Sequence, residues 1–217
     1  MDWNTLYEEP IYRLKEPAQE VIDFVPLLKK NNSKKVLDLG YGAGRHIIYL
    51  AKEGFDVFGT DISLTGEDYT KQWLSSENLK AELKYSDMTF IPYADNFFDG
   101  IISRGVITHN TKENILKSIS EMKRTLKPGG LVMITFISTE SSLYGSGKLY
   151  EENTFICDDG IEKGVLHHFC TKSEVEEMMQ DFEQIELVHY KHKGVINIDE
   201  SYVSAHWVFV GKKANNC

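Results

Sequence analysis

The sequence predicts an α/β fold: a doubly wound, mostly parallel sheet with helices on both faces. Three observations predict it. Apolar runs of strand length alternate with helical patterns over roughly the first 136 residues, the signature of a parallel sheet covered on both sides. The run Val36-Leu37-Asp38-Leu39 leads into Gly40-Tyr41-Gly42-Ala43-Gly44 and then Arg45-His46, which reads as a buried strand, a glycine-rich turn and a helix start. Aspartates stand at or near the ends of three successive strands, at Asp38, Asp61 and Asp87, the rim where such a sheet holds its ligand.

Residues 1–16 carry Trp3, Tyr7 and Tyr12 among charged residues and are expected to form an N-terminal arm or short helix. Pro17 is expected to open the next helix as its first residue, with Val21, Phe24, Val25 and Leu28 on its apolar face and Pro26 near its end. Residues 1–30 then cap the domain. The first strand is expected at about 35–39. Ile47, Ile48, Leu50 and Ala51 give the following helix its buried face, and Gly54 stops it. A strand at 56–60, a helix at 64–76, a strand at 81–86 and a strand at 97–103 follow, the last entered from the turn Asp95-Asn96. Asn110 with Glu113 suits a helix start, and Ile115, Ile119 and Met122 recur at helical spacing up to about Thr125. Lys127-Pro128-Gly129-Gly130 breaks that helix, and 131–136 is a fully apolar strand.

Residues 138–170 interrupt the rhythm. The turn-rich Gly145-Ser146-Gly147 and Asp158-Asp159-Gly160 flank Tyr150 and Phe155, and the segment is expected to be an insertion acting as a substrate lid. Thr171-Lys172-Ser173-Glu174 reads as a capping box for a helix to about Asp181. Residues 184–190 and 204–211 read as two closing strands, an antiparallel edge pair. A single domain over 1–217 is expected.

The composition narrows the function. A chain of 217 residues with 41% hydrophobic content builds one sizeable core. The net charge of -9 disfavours attraction to nucleic-acid phosphates, and Lys29-Lys30 with Lys34-Lys35 reads as a solvated linker. No apolar run spans a membrane, and Met1-Asp2-Trp3 does not open a signal peptide. Three cysteines, Cys157, Cys170 and Cys217, are odd in number and lack metal-ligand spacing, so a reduced, cytoplasmic protein is expected. No metal site is expected; His167-His168 has no third ligand at a local spacing.

The glycine turn allows positive φ and close backbone approach, and the helix after it aims N–H groups at the same place. A carboxylate at Asp61, 21 positions after Gly40, can accept both hydroxyls of a ribose; one at Asp87 can accept from an adenine amine. A dinucleotide fingerprint would need a third glycine where Arg45 stands. Asp38 would repel a pyrophosphate but suits a ligand with a cationic amino-acid end.

Five blocks carry a family resemblance: Asp38-Leu39-Gly40-Tyr41-Gly42-Ala43-Gly44, Gly59-Thr60-Asp61-Ile62-Ser63, Ser86-Asp87-Met88, Phe97-Phe98-Asp99-Gly100-Ile101-Ile102-Ser103 and Leu126-Lys127-Pro128-Gly129-Gly130-Leu131. In this order and spacing they resemble a class I S-adenosyl-L-methionine (SAM)-dependent methyltransferase, and Gly44-Arg45-His46 resembles its small-molecule, tellurite-resistance-like branch. The resemblance implies a Rossmann-like seven-stranded sheet whose last strand is antiparallel. It implies SAM as cofactor and a small-molecule methyl acceptor attacked in line. Gly40, Gly42 and Gly44 would pass the methionine moiety, with Asp38 facing its cationic end. Asp61 would bind the ribose, Ile62 pack on adenine, and Asp87 and the Met88 backbone meet the adenine ring. Arg104 would offer its carbonyl to the ammonium, and Tyr12, with Trp3 and Tyr7, would close over the cofactor. Tyr41 departs from the small residue usual inside the turn. If the acceptor must lose a proton, His109 is the candidate base; His46 reads as structural. No Asn-Pro-Pro-Tyr follows the fourth strand, which disfavours amino groups of DNA bases as acceptors. An NAD-linked oxidoreductase and a non-catalytic SAM-binding module are the alternatives.

Overall fold

The computed structural model describes residues 3–160, 162–193 and 203–215. Its core is a parallel sheet in the spatial order β3 (Glu82–Tyr85), β2 (Asp56–Asp61), β1 (Lys35–Leu39), β4 (Phe98–Ser103) and β5 (Leu126–Ser138). An antiparallel strand, β10 (Val203–Lys213), pairs with β5 on one side and with β9 (Phe182–Lys193) on the other. These seven strands are the expected doubly wound sheet with its antiparallel last strand.

The two faces of the sheet are covered by different helices, which follows from the strand alternation. Leu37, Leu39, Ile101, Val132 and Ile134 face one core, closed by Ile115, Ile119 and Met122 of α5 (Lys112–Thr125) and Val175 of α6 (Lys172–Met178). Val36, Val57, Ile102 and Met133 face the other. That side is covered by Val21, Phe24 and Leu28 of α2 (Gln19–Lys30), Ile47 and Leu50 of α3 (Arg45–Lys52) and Leu74 of α4 (Leu64–Ser76). The register Leu39↔Thr60 and Thr60↔Lys84 aligns the carboxyl ends of β1, β2 and β3 at one rim. A short helix, α1 (Trp3–Glu8), and a 3-10 turn over Pro10–Tyr12 precede α2.

Several boundaries differ from the sequence reading. Ala18, in extended backbone, is the N-cap of α2, so Pro17 lies outside the helix. Pro26 stands within α2, which runs on to Lys30 because its apolar face continues past the proline. Thr111, not Asn110, caps α5: its hydroxyl accepts from Asn114 N at 3.3 Å, while the Asn110 side chain accepts from Thr111 N at 2.9 Å. β5 begins at Leu126, and its Lys127–Gly130 stretch bulges between the pairs Phe98↔Leu126 and Gly100↔Leu131. α6 stops at Met178. Glu174 does not complete a capping box; its carboxylate lies 2.8 Å from Lys112 Nζ instead. β10 sits between β5 and β9, so of this closing pair β9 alone is an edge.

Residues 138–170 contain three further strands, β6 (Lys148–Glu151), β7 (Thr154–Ile156) and β8 (Leu166–Cys170), in an antiparallel meander. β8 joins the main sheet through Ile137↔Phe169 and Ser138↔Cys170. The segment is thus an extension of the sheet at its ligand-bearing rim.

Candidate functional site

The site starts at the turn between β1 and α3. Gly40, Gly42 and Gly44 have φ of 77°, 54° and 88°, a region that a side chain makes costly. Gly40 N donates to Thr60 O at 2.7 Å, tying the turn to the end of β2. A Cβ at Gly40 would lie 2.3 Å from Val106 Cγ2, and one at Gly42 would lie 2.3 Å from the Tyr7 hydroxyl. Gly44 caps α3 with backbone alone, so no side chain occupies the N–H groups of its first turn.

Asp61 links this turn to β2. Its Oδ2 accepts from Gly42 N and its Oδ1 from Ser63 N, both at 2.8 Å. Each oxygen keeps a lone pair for a ligand hydroxyl. Burial raises its pKa, opposed by these backbone donors.

Two adjoining cavities flank the turn. The first is lined by Gly40, Asp61, Ile62, Asp87, Met88 and His109. The second is lined by Tyr12, Gly42, Gly44, Arg45, Arg104 and Glu162, again with Gly40 and His109. Nine of the ten predicted cofactor residues therefore face one groove. Asp87 is exposed at its rim, its Oδ1 accepting from Thr89 N and Oγ1 at 2.8 and 2.6 Å. Asp38 lines neither cavity. It is 1% exposed, both its carboxylate oxygens lack a hydrogen-bond partner, and His46 Nδ1 stands 3.8 Å away. Burial, with the charge of Asp61, pushes the Asp38 carboxyl up to about 8. Burial also drives His46 well below its ordinary value, so His46 is neutral. When ionised, Asp38 joins Asp61 in adding to the burial that raises the Tyr7 phenol.

α1 forms the roof. The Asn4 carboxamide oxygen accepts from Thr65 N at 3.2 Å, holding α1 on the start of α4. Trp3 and Tyr7 line both cavities, and Trp3 packs edge-on against His109 with centroids 5.5 Å apart. Tyr12 lines only the second cavity. Arg104 also faces the second cavity, 3.7 Å from Glu20 Oε1, which accepts from His206 at 2.8 Å.

His109 lies at the junction of the two cavities. Its Nδ1 is buried with no hydrogen-bond partner, and its ring meets His167 at 4.9 Å. Burial and the neighbouring His167 lower its pKa to about 4, so the imidazole is neutral at physiological pH. His167 Nε2 lies 3.1 Å from Glu162 Oε2. The backbone bond from His168 N to Thr108 O, at 2.8 Å, brings β8 beside the loop after β4 and sets this row. Glu162 stands in a segment without a motif, and only the adjacent His167-His168 hinted at polar chemistry there. Next door, His168, Cys170 and Glu174 bring ligand-type atoms within 4.8 Å, in a network that takes in Thr154 Oγ1 at 2.7 Å from His168 and the Lys112 ammonium.

Comparison with known proteins places this architecture. Residues 36–130 match the family model described as a methyltransferase domain. A SAM-dependent methyltransferase structure from Methanosarcina mazei superposes with a TM-score of 0.73 at 20% identity, covering 88% of this chain and 98% of that one. TehB from Haemophilus influenzae superposes with a TM-score of 0.71 at 21% identity, covering 93% and 64%. Residues 36–130 are therefore similar to a methyltransferase domain, and the fold of the chain is that of these solved structures. Among curated relatives, phosphoethanolamine N-methyltransferase 3 of Arabidopsis thaliana is 34% identical over 114 residues, 52% of this chain and 23% of that protein. Methyltransferase GfsG of Streptomyces halstedii is 30% identical over 142 residues, 64% and 45%. The chain spans less than half the length of these relatives.

The cofactor implied by the domain and its structural neighbours is SAM, and the groove fits it. Gly40 and Gly42 leave a cradle with no room for a Cβ, the buried Asp38 carboxylate lacks a donor, and Asp61 has spare acceptor capacity at the strand end. Past the matched region the sheet continues into β9, β10 and the β6–β8 extension, and Glu162, held against His167, lines the second cavity.

Proposed function

We propose that this chain is a SAM-dependent methyltransferase of a small-molecule acceptor, acting as a single domain over residues 1–217. The observation that carries the reading is the bond from Gly42 N to Asp61, which fuses the glycine turn and the β2 end into one groove running on to His109. Asp61 would bind the ribose hydroxyls, Ile62 would pack on the adenine, and Asp87 and the Met88 backbone would meet its amine and ring. Gly40, Gly42 and Gly44 would carry the methionine portion, with the Arg104 carbonyl, and Asp38 once ionised, matched to its ammonium. Bound there, SAM supplies an activated methyl group and its own leaving group. The protein then has to align the acceptor, exclude water and remove a proton where the acceptor carries one. Trp3, Tyr7 and Tyr12 exclude water from above, the β6–β8 extension covers the acceptor side, and neutral His109 is the group placed to take the proton.

The size of the acceptor is supported by relatives named for phosphoethanolamine and by the roofed second cavity. The net charge of -9 argues against a nucleic-acid partner. No helix among the described residues is long and apolar enough to cross a membrane. With Cys157 and Cys170 free, a cytoplasmic location is our reading. Arg45 at the third-glycine position weighs against NAD. Incubation with methyl-labelled SAM and a metabolite panel tests the proposal: label in a small molecule is expected. Cofactor binding without transfer to any acceptor would reduce the chain to a SAM-binding module.

A further inference from the structure

We propose that Glu162, positioned by His167, selects a nitrogen acceptor, Glu162 serving as counter-ion to an entering ammonium and His109 receiving its proton. The inference rests on the methyltransferase reading and adds the acceptor's chemical class. Among the described residues lining the second cavity, Glu162 is the one carboxylate. Its contact with His167, at 3.1 Å, holds it below the usual carboxylate range, so it is charged at neutral pH. A fixed negative charge on the wall of a cavity attracts cations there.

The rest of the wall favours the free amine once inside. Arg45 and Arg104 line the same cavity and disfavour a second cation, although Arg104 is partly balanced by Glu20. His109 is neutral, and its Nδ1 has no partner within the protein. Such an imidazole is too weak a base to ionise an alcohol. An ammonium displaced toward its free amine asks far less of it. The N–H bond breaks toward His109, which becomes imidazolium beside the Glu162 charge. The freed nitrogen lone pair forms the N–CH3 bond as the methyl–sulfur bond breaks, and that electron pair stays on sulfur as a thioether. The imidazolium then returns its proton to solvent.

The test uses the full chain saturated with S-adenosylhomocysteine. Calorimetry compares ethylamine, ethanolamine and dimethylamine with ethylene glycol and 2-mercaptoethanol. The amines are expected to bind in preference, and Glu162→Gln is expected to weaken them about tenfold. Glu162→Asp restores part of that affinity, which separates lost charge from lost fold. In turnover with SAM, Glu162→Gln raises KM for amines, whereas His109→Gln lowers kcat about 100-fold. Preferred binding of the alcohol or thiol, or unchanged amine affinity in Glu162→Gln, overturns the inference. Failure of S-adenosylhomocysteine itself to bind overturns the methyltransferase reading instead.

Discussion

Asp38→Asn isolates the electrostatic cost stored beneath the glycine turn. Burial, with the charge of Asp61, moves this carboxyl from 3.8 to about 8. At about 1.36 kcal/mol per pH unit, that is a preference for the neutral acid of about 6 kcal/mol. The folded protein holds the proton more tightly than the unfolded chain does. Its stabilising effect is therefore complete below about pH 4, declines as pH rises, and is gone above about pH 8. Asn cannot ionise, so the variant escapes this decline. Between pH 5 and pH 7 the wild type should lose about 3 kcal/mol relative to Asp38→Asn. Urea unfolding of both proteins at pH 5, 6, 7 and 8 measures the difference. Any constant cost of the amide shifts one curve without changing its slope against pH. Parallel stability curves across this range would refute the account of Asp38 as a buried, unpartnered acid.

Two further outcomes are expected. Asp61→Ala removes the acceptor of Gly42 N and Ser63 N and the proposed ribose contact; cofactor affinity should fall by about 1.5–3 kcal/mol, or about 10- to 150-fold, and an unchanged S-adenosylhomocysteine Kd would remove Asp61 from the site. Gly42→Ala places a side chain at φ 54°, costing about 1–2 kcal/mol, and drives a methyl into the Tyr7 hydroxyl; amide hydrogen exchange over Trp3–Glu8 should accelerate, and unchanged protection would show that Tyr7 does not seat α1.

Where pattern was strong, the sequence already contained the fold. β1 at 35–39 and α4 at 64–76 have the bounds that their apolar spacing and flanking turns predict. The choice of Thr111 over Asn110 as a cap could not be read, because both side chains suit the role and the local geometry decides between them. β6 to β8 were illegible for a different reason. They are short, and their pairing depends on Ile137 and Ser138 of β5, distant in sequence from the strand they hold. The candidate site divides the same way. The acids and glycines that frame the groove lie at predictable strand ends, whereas Glu162 and His167 reach His109 through tertiary contacts of β8, the bond between His168 and Thr108 among them. The burial of Asp38 was likewise invisible in its position beside the turn.

Isothermal titration of the wild-type chain with S-adenosylhomocysteine, set against NADH, tests the central claim most directly. Saturable binding of S-adenosylhomocysteine at one site per chain, with no heat from NADH, is the predicted result. Tight NADH binding with no response to S-adenosylhomocysteine would contradict it.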